Sequence, residues 1–163
     1  MRWQLLRSID EVVPGERIAG RASTDFPDEL FGDHFPSYPV TPGVLLIELG
    51  AQLAGFLVQA TVHEQSGLWI FPVLSIIREA KFRTFVPPHA EVRVEAKLVS
   101  LYRDYAAVRA GIAHDGARCV SMELALSFDA EGEARMGDAG ALVAYSRSEL
   151  DRLASPWRPR GEA

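Results

Sequence analysis

The chain has a single cysteine, Cys119, so no internal disulfide can staple it. Its place in a predicted strand suits a small buried hydrophobe better than a nucleophile. No cluster of His, Cys, Asp or Glu has the spacing of a ligand set, so no metal site is expected. There is no basic run or aromatic-interleaved patch, and the net charge is -5, which argues against nucleic acid as a partner. An apolar stretch with a small-residue cleavage site is missing near the start, so a secretory signal is not expected and a cytoplasmic location is. Internal repeats and low-complexity segments are also absent. The 163 residues are 48% hydrophobic and 24% charged, enough for one sizeable core and too few for two ordinary domains.

The stretch from Pro42 to Val62, PGVLLIELGAQLAGFLVQATV, carries only one charged side chain, Glu48. Its length invites a membrane-spanning reading, but Glu48, Gln52, Gln59 and two internal glycines favour the core helix of a protein with no membrane partner. A lone carboxylate in such a helix is costly to bury ionised, so Glu48 is expected to keep its proton unless something pairs with it. That makes it a candidate general acid. Gln52, four residues on, shares its helix face and is expected to orient it.

Just before the helix, His34 opens a loop stiffened by Pro36, Pro39 and Pro42. Each proline fixes its own φ and biases the residue before it towards extended backbone, so His34 is expected on a rigid lead-in. Pro42-Gly43 marks the helix start, where the first amides lack internal partners and could hold a developing oxyanion. His63, His89 and His114 have no comparable setting and are expected to face solvent.

Strands are expected over Trp3–Ile9, Glu16–Ala22, Trp69–Phe85, Glu91–Leu101, Tyr105–His114 and Ala117–Phe128, the later ones alternating apolar and polar residues. Asp115-Gly116 signals a tight hairpin, and Ser23–Asp33 reads as a loop with one helical turn. Gln65-Ser66-Gly67 is expected to stop the long helix. A helix apolar on every side, among strands apolar on one face, requires the sheet to wrap it. The expected class is α+β, a curved antiparallel sheet around a central helix over residues 1–129. Residues 130–163 form a C-terminal extension, in which Ser146 and Glu149 are expected to box the start of a short helix through Leu153, with the end from Pro156 to Arg160 expected to be unstructured. A surface appendage is the favoured reading of that extension, with a cover over the active-site tunnel or a subunit interface as the other.

The run H-F-P-x-x-P-V-x-P-G-V-L-x-I-E from His34 to Glu48, followed by Gln52, resembles the signature of the 3-hydroxyacyl-acyl-carrier-protein dehydratases of the FabZ type, which have the hotdog fold. Val13-Pro14-Gly15-Glu16-Arg17-Ile18 resembles that family's first hairpin, and Ala80-Lys81-Phe82-Arg83 with Val86 and Pro88 resembles one of its strands. Ser37, Asp33 and His89-Ala90 depart from the pattern, and the usual opening L-P-H-R-x-P-F segment is missing. These departures and the extension suggest specialised polyketide or unusual-lipid synthesis over primary fatty acid elongation.

The resemblance implies His34 and Glu48 as the catalytic pair and Gly43 as the amide that polarises the thioester carbonyl. It implies dehydration of a (3R)-3-hydroxyacyl thioester on acyl carrier protein or coenzyme A, with no cofactor, by a homodimer whose site combines His and Glu from different chains. Leu49, Leu53, Phe56 and Phe71 are candidates to line an acyl tunnel, and Arg78, Lys81 and Arg83 to dock the carrier. A hotdog thioesterase, a dehydratase-isomerase and a non-catalytic acyl-binding subunit are the alternatives; the isomerase branch typically has aspartate at the place of Glu48.

Overall fold

The computed structural model describes residues 5–129 and 139–154. In chain order the elements are β1 (Leu6–Val13), β2 (Arg17–Ser23), α1 (Asp28–Gly32), α2 (Gly43–Ser66), β3 (Val73–Phe82), β4 (Glu91–Leu101), β5 (Tyr105–His114), β6 (Ala117–Ser127) and α3 (Ala139–Leu153). The strands form one antiparallel sheet in the order β1-β2-β4-β5-β6-β3.

One helix touches all six strands. Six strands laid flat would span about 24 Å, whereas a helix with its side chains is about 10 Å across. The sheet must therefore curl around α2, as the sequence leads one to expect. Irregularities in β1, β3, β4 and β6 help it to do so, since bulged strands bend. The inward face is supplied by alternation: Val92, Val94 and Ala96 of β4, and Val120, Met122, Leu124 and Leu126 of β6, are buried against α2. Cys119 is buried with them.

The turns follow the local chemistry. Asp115 (φ 48) and Gly116 (φ 76) make the tight hairpin between β5 and β6. Gly67, at φ 74, ends α2 in the left-handed conformation and donates its amide to the His63 carbonyl. The strand ends differ from expectation where side chains intervene. β3 starts at Val73 rather than Trp69, because the Ile70 carbonyl is taken by Gln59 Nε2 at 3.1 Å and Pro72 follows. β1 starts at Leu6 and runs on to Val13, the expected first residues lying partly outside the described ones.

Three further expectations are corrected. Ser146 does not box a helix start, because α3 begins at Ala139 and Ser146 sits inside it, donating to Gln59 Oε1 at 3.1 Å. The described part of the extension is no mere appendage: Ser146, Glu149, Leu150, Leu153 and Ala154 form a buried face, and its three apolar members join the main core. Residues 155–163 lie outside the described ones. His63 and His114 are half-buried, His63 stacked on Trp69 with ring centroids 3.9 Å apart, and only His89 is exposed.

α2 is long and apolar enough to cross a membrane, yet 72% of its most apolar window is buried inside the fold. Glycines set how closely it approaches the sheet. A Cβ on Gly50 would lie 2.5 Å from Met122 Sδ, whereas one on Gly55 would meet nothing nearer than Leu126 Cδ2 at 3.8 Å. Gly50→Val is expected to lose ~1–3 kcal/mol by overpacking, and Gly55→Ala to gain up to about 1 kcal/mol from helix propensity. Urea denaturation of the two variants beside wild type checks the opposite signs.

Candidate active site

His34 follows directly on α1, whose Phe31 carbonyl accepts the His34 amide at 3.0 Å. The loop then closes on itself, with Phe35 and Tyr38 exchanging backbone hydrogen bonds at 3.3 and 3.0 Å. Val40 fixes the histidine twice: its amide donates to the His34 carbonyl at 2.9 Å, and its carbonyl lies 3.3 Å from His34 Nδ1. A carbonyl only accepts, so Nδ1 carries a hydrogen, and in the neutral ring Nε2 is the nitrogen with the lone pair. The Phe35 ring stacks on the imidazole, centroids 4.5 Å apart. Thr41 anchors the loop's far end, its amide on the Val86 carbonyl at 2.8 Å and its hydroxyl on the Pro87 carbonyl at 3.0 Å.

Pro42 is the N-cap of α2 and supplies no side-chain cap. By position, the Gly43 and Val44 amides precede the first intrahelical bond and point out of the helix start with the positive end of its dipole. Gly43 is needed there for space: a Cβ would sit 2.9 Å from the Phe82 ring, which lies over the helix start. Sequence reading missed Phe82 in this role, because the ring comes from the far end of β3.

Glu48 lies on the next turn. It is half-buried in the chain, rather than buried as the apolar helix suggests, because α2's sheet-facing sides are taken by its aliphatic residues. Gln52 Nε2 donates to Glu48 Oε1 at 2.8 Å, while Gln52 Oε1 accepts the Leu5 amide at 3.0 Å. The Leu5 amide thus orients the Gln52 amide group so that its NH₂ faces the carboxylate. Among the described residues, no hydrogen bond or ion pair joins His34 to Glu48 within one chain.

Of the proposed tunnel residues, Leu49 and Leu53 are wholly inside the core, Phe56 is buried and Phe71 half-buried. Arg78, Lys81 and Arg83 are all exposed on or just after β3. Lys81 pairs with Glu79 at 2.8 Å, and Arg83 reaches the Ser121 hydroxyl at 3.5 Å. No group of three or more potential metal ligands occurs among the described residues.

A sheet curled around one helix, with a histidine loop leading into an uncapped helix start and a carboxylate on that helix, defines a hotdog domain with candidate acid–base groups. The solved dehydratase heterocomplex ApeI:P from Xenorhabdus doucetiae has the same fold, with a TM-score of 0.61 at 15% identity, covering 77% of this chain and 82% of that one. A thioesterase from Haemophilus influenzae also matches, with a TM-score of 0.56 at 16% identity over 77% and 81% of the two chains. At such identities these likenesses establish the fold alone. Sequence goes further: the FabA-like domain family matches residues 2–123. The 3-hydroxyacyl-[acyl-carrier-protein] dehydratase FabZ of Clostridium acetobutylicum is 32% identical over 121 residues, 74% of this chain and 83% of the relative. The chain belongs to the FabA-like family, as a hotdog dehydratase of the FabZ type.

Replacing Gln52 by Leu leaves the Leu5 amide without its acceptor and Glu48 without this donor. We expect a loss of about 1–3 kcal/mol in urea unfolding, together with faster hydrogen exchange at the Leu5 amide. Unchanged exchange there would remove Gln52 as the link between the β1 end and the site.

Proposed function

We propose that this chain catalyses the reversible dehydration of (3R)-3-hydroxyacyl thioesters, carried on acyl carrier protein, to trans-2-enoyl thioesters, with His34, Gly43 and Glu48 as the working groups. The observation that carries this reading is the His34 ring held by Val40, with Nε2 as its basic nitrogen, on a loop that runs straight into the uncapped start of α2. His34 Nε2 takes a proton from C2. The Gly43 amide supports the charge that gathers on the thioester oxygen, where a preorganised donor acts most strongly. Glu48, protonated and oriented by Gln52, gives its proton to the C3 hydroxyl as the C3–O bond breaks and water leaves. Return of the proton from His34 to Glu48 completes the cycle, and no cofactor enters it.

Within this reading the site is composite, His34 of one chain meeting Glu48 of a second. The edges of the sheet support a dimer through β3. β1 exposes Arg7, Asp10 and Glu11 and no large apolar side chain, whereas β3, beside its own charges Arg78, Glu79 and Lys81, leaves Val73, Ile76, Ile77 and Phe82 exposed. Close to the helix start Phe35, Tyr38, Val44 and Phe85 are exposed as well, Tyr38 edge-on to Phe85 with ring centroids 6.0 Å apart, apolar surface of the kind that a partner covers. Arg78, Lys81 and Arg83 on this edge supply positive charge for an acidic carrier protein. The family's soluble biosynthetic role fits a cytoplasmic location. The reaction belongs to fatty acid biosynthesis or to the synthesis of a polyketide or related lipid.

The test is hydration of crotonyl and longer trans-2-enoyl thioesters, followed by loss of the conjugated absorbance. His34→Ala and Glu48→Gln are each expected to lose ~100-fold or more in turnover while staying folded. Release of free thiol without hydration would replace the dehydratase reading by thioester hydrolysis. Refolding the two inactive variants together is expected to restore part of the activity, since a mixed dimer pairs the intact His34 of one chain with the intact Glu48 of the other. No recovery from demonstrably mixed dimers would place the pair within a single chain.

A further inference from the structure

α2 is buried unevenly along its length. Val44, Ile47, Glu48, Gln52 and Gly55 are exposed or half-buried, whereas every residue from Phe56 to Val62 is buried. At 3.6 residues per turn the open positions form one continuous strip, and the next members on it are Val58, Gln59 and Val62. Glu48, Gln52, Gln59 and His63 fall within about 60° of arc, so these four polar side chains of an apolar helix follow one line. The strip that holds the proposed acid is open at the helix start and closed from Gln59 onward.

The cover is built by the extension and the segment after α2. Gln59, fully buried, donates to the Ile70 carbonyl at 3.1 Å and accepts from Ser146 of α3 at 3.1 Å. Trp69 is stacked on His63, and the Arg147 guanidinium lies 4.8 Å from the centre of its indole. Leu150, Leu153 and Ala154 fix α3 into the core, so the cover is part of the folded body. Gly55, the last open position before it, lacks a side chain and leaves a notch at the wall.

We infer that α3, acting through Ser146 and Gln59, is the end wall of the acyl-binding strip and sets the longest acyl chain this enzyme accepts. The inference rests on the dehydratase reading above. The thioester carbonyl is held at Gly43 and C3 at Glu48, so the remaining acyl chain must leave along the apolar floor that continues from them. On α2 that floor is the strip through Ile47, Ala51 and Gly55, with the second copy as its other side. Between Glu48 and Gln59 the helix rises about 16 Å, which bounds the length of chain that fits. The family match ends at residue 123, before α3, so this limit belongs to the part of the chain outside the shared domain.

The test is the ratio of kcat/KM for dodecenoyl and hexadecenoyl thioesters to that for crotonyl thioester, in the full chain. The double variant Gln59→Ala/Ser146→Ala removes both partners of the wall's hydrogen bond and opens space beyond Gly55. Its long-to-short ratio is expected to rise by about fourfold for each further methylene admitted. Gly55→Leu, which leaves the wall untouched and fills the notch, is expected to lower the same ratio. A folded double variant whose ratio equals that of wild type overturns α3 as the end wall, and an unchanged ratio in Gly55→Leu overturns the strip as the acyl path. Either result leaves the dehydratase reading standing while wild type hydrates crotonyl thioester. Wild type inactive on every thioester removes that reading and the inference with it.

Discussion

The fold depends on the burial of one apolar helix by a sheet wide enough to curl around it. α2 has leucine, valine, alanine or phenylalanine on almost every side, and a flat sheet would cover only one of them. Curling brings all six strands into contact with it, and the alternation of β4 and β6 turns their valines and leucines inward while Arg93, Glu95 and Lys97 of β4 remain on the outside. Where a sheet side chain presses onto the helix, the helix has glycine, as at Gly50 against the Met122 thioether. The arrangement leaves one side of the helix less covered than the rest, and Glu48 and Gln52 lie on that side.

A catalytic carboxylate needs a setting that is neither open water nor the middle of a core. Glu48 has it because α2's other faces are committed to the sheet and Gln52 is itself oriented by the Leu5 amide. His34 is prepared differently, by a loop whose own backbone bonds and Thr41 anchors leave little freedom. The same half-open side that makes the site accessible leaves an apolar edge at β3 and an apolar patch at the helix start. Access to the proposed site and the proposed association with a second copy therefore share one structural origin.

The C-terminal helix changes the far end of this design. Its buried face adds to the same core as the sheet, and its polar members meet the polar line of α2 at Gln59. A helix that would otherwise offer one uninterrupted strip is divided into an open half and a closed half. The closure is specific in chemistry: a serine, a glutamine and a backbone carbonyl satisfy one another where apolar contact alone would not fix the register of α3.

Much of this was legible in the sequence. Local signals determined the long helix and its stop at Gly67, the Asp115-Gly116 hairpin and the alternating strands, because backbone preference and periodicity act over a few residues. The spacing of His34, Gly43, Glu48 and Gln52 likewise pointed to the site, and even the polar line through Gln59 and His63 could have been counted along the helix. What sequence could not supply came from residues distant in the chain. The Val40 carbonyl that sets the histidine's basic nitrogen, the Phe82 ring over Gly43 and the Leu5 amide on Gln52 depend on how loops and strands meet. Ser146 illustrates the limit best: its spacing to Glu149 matches a helix-start pattern, yet α3 begins earlier and turns that serine onto Gln59. Local sequence determined which segments form and which residues can do chemistry; tertiary packing decided which faces stay open, because exposure is set by neighbours that no short stretch of sequence contains.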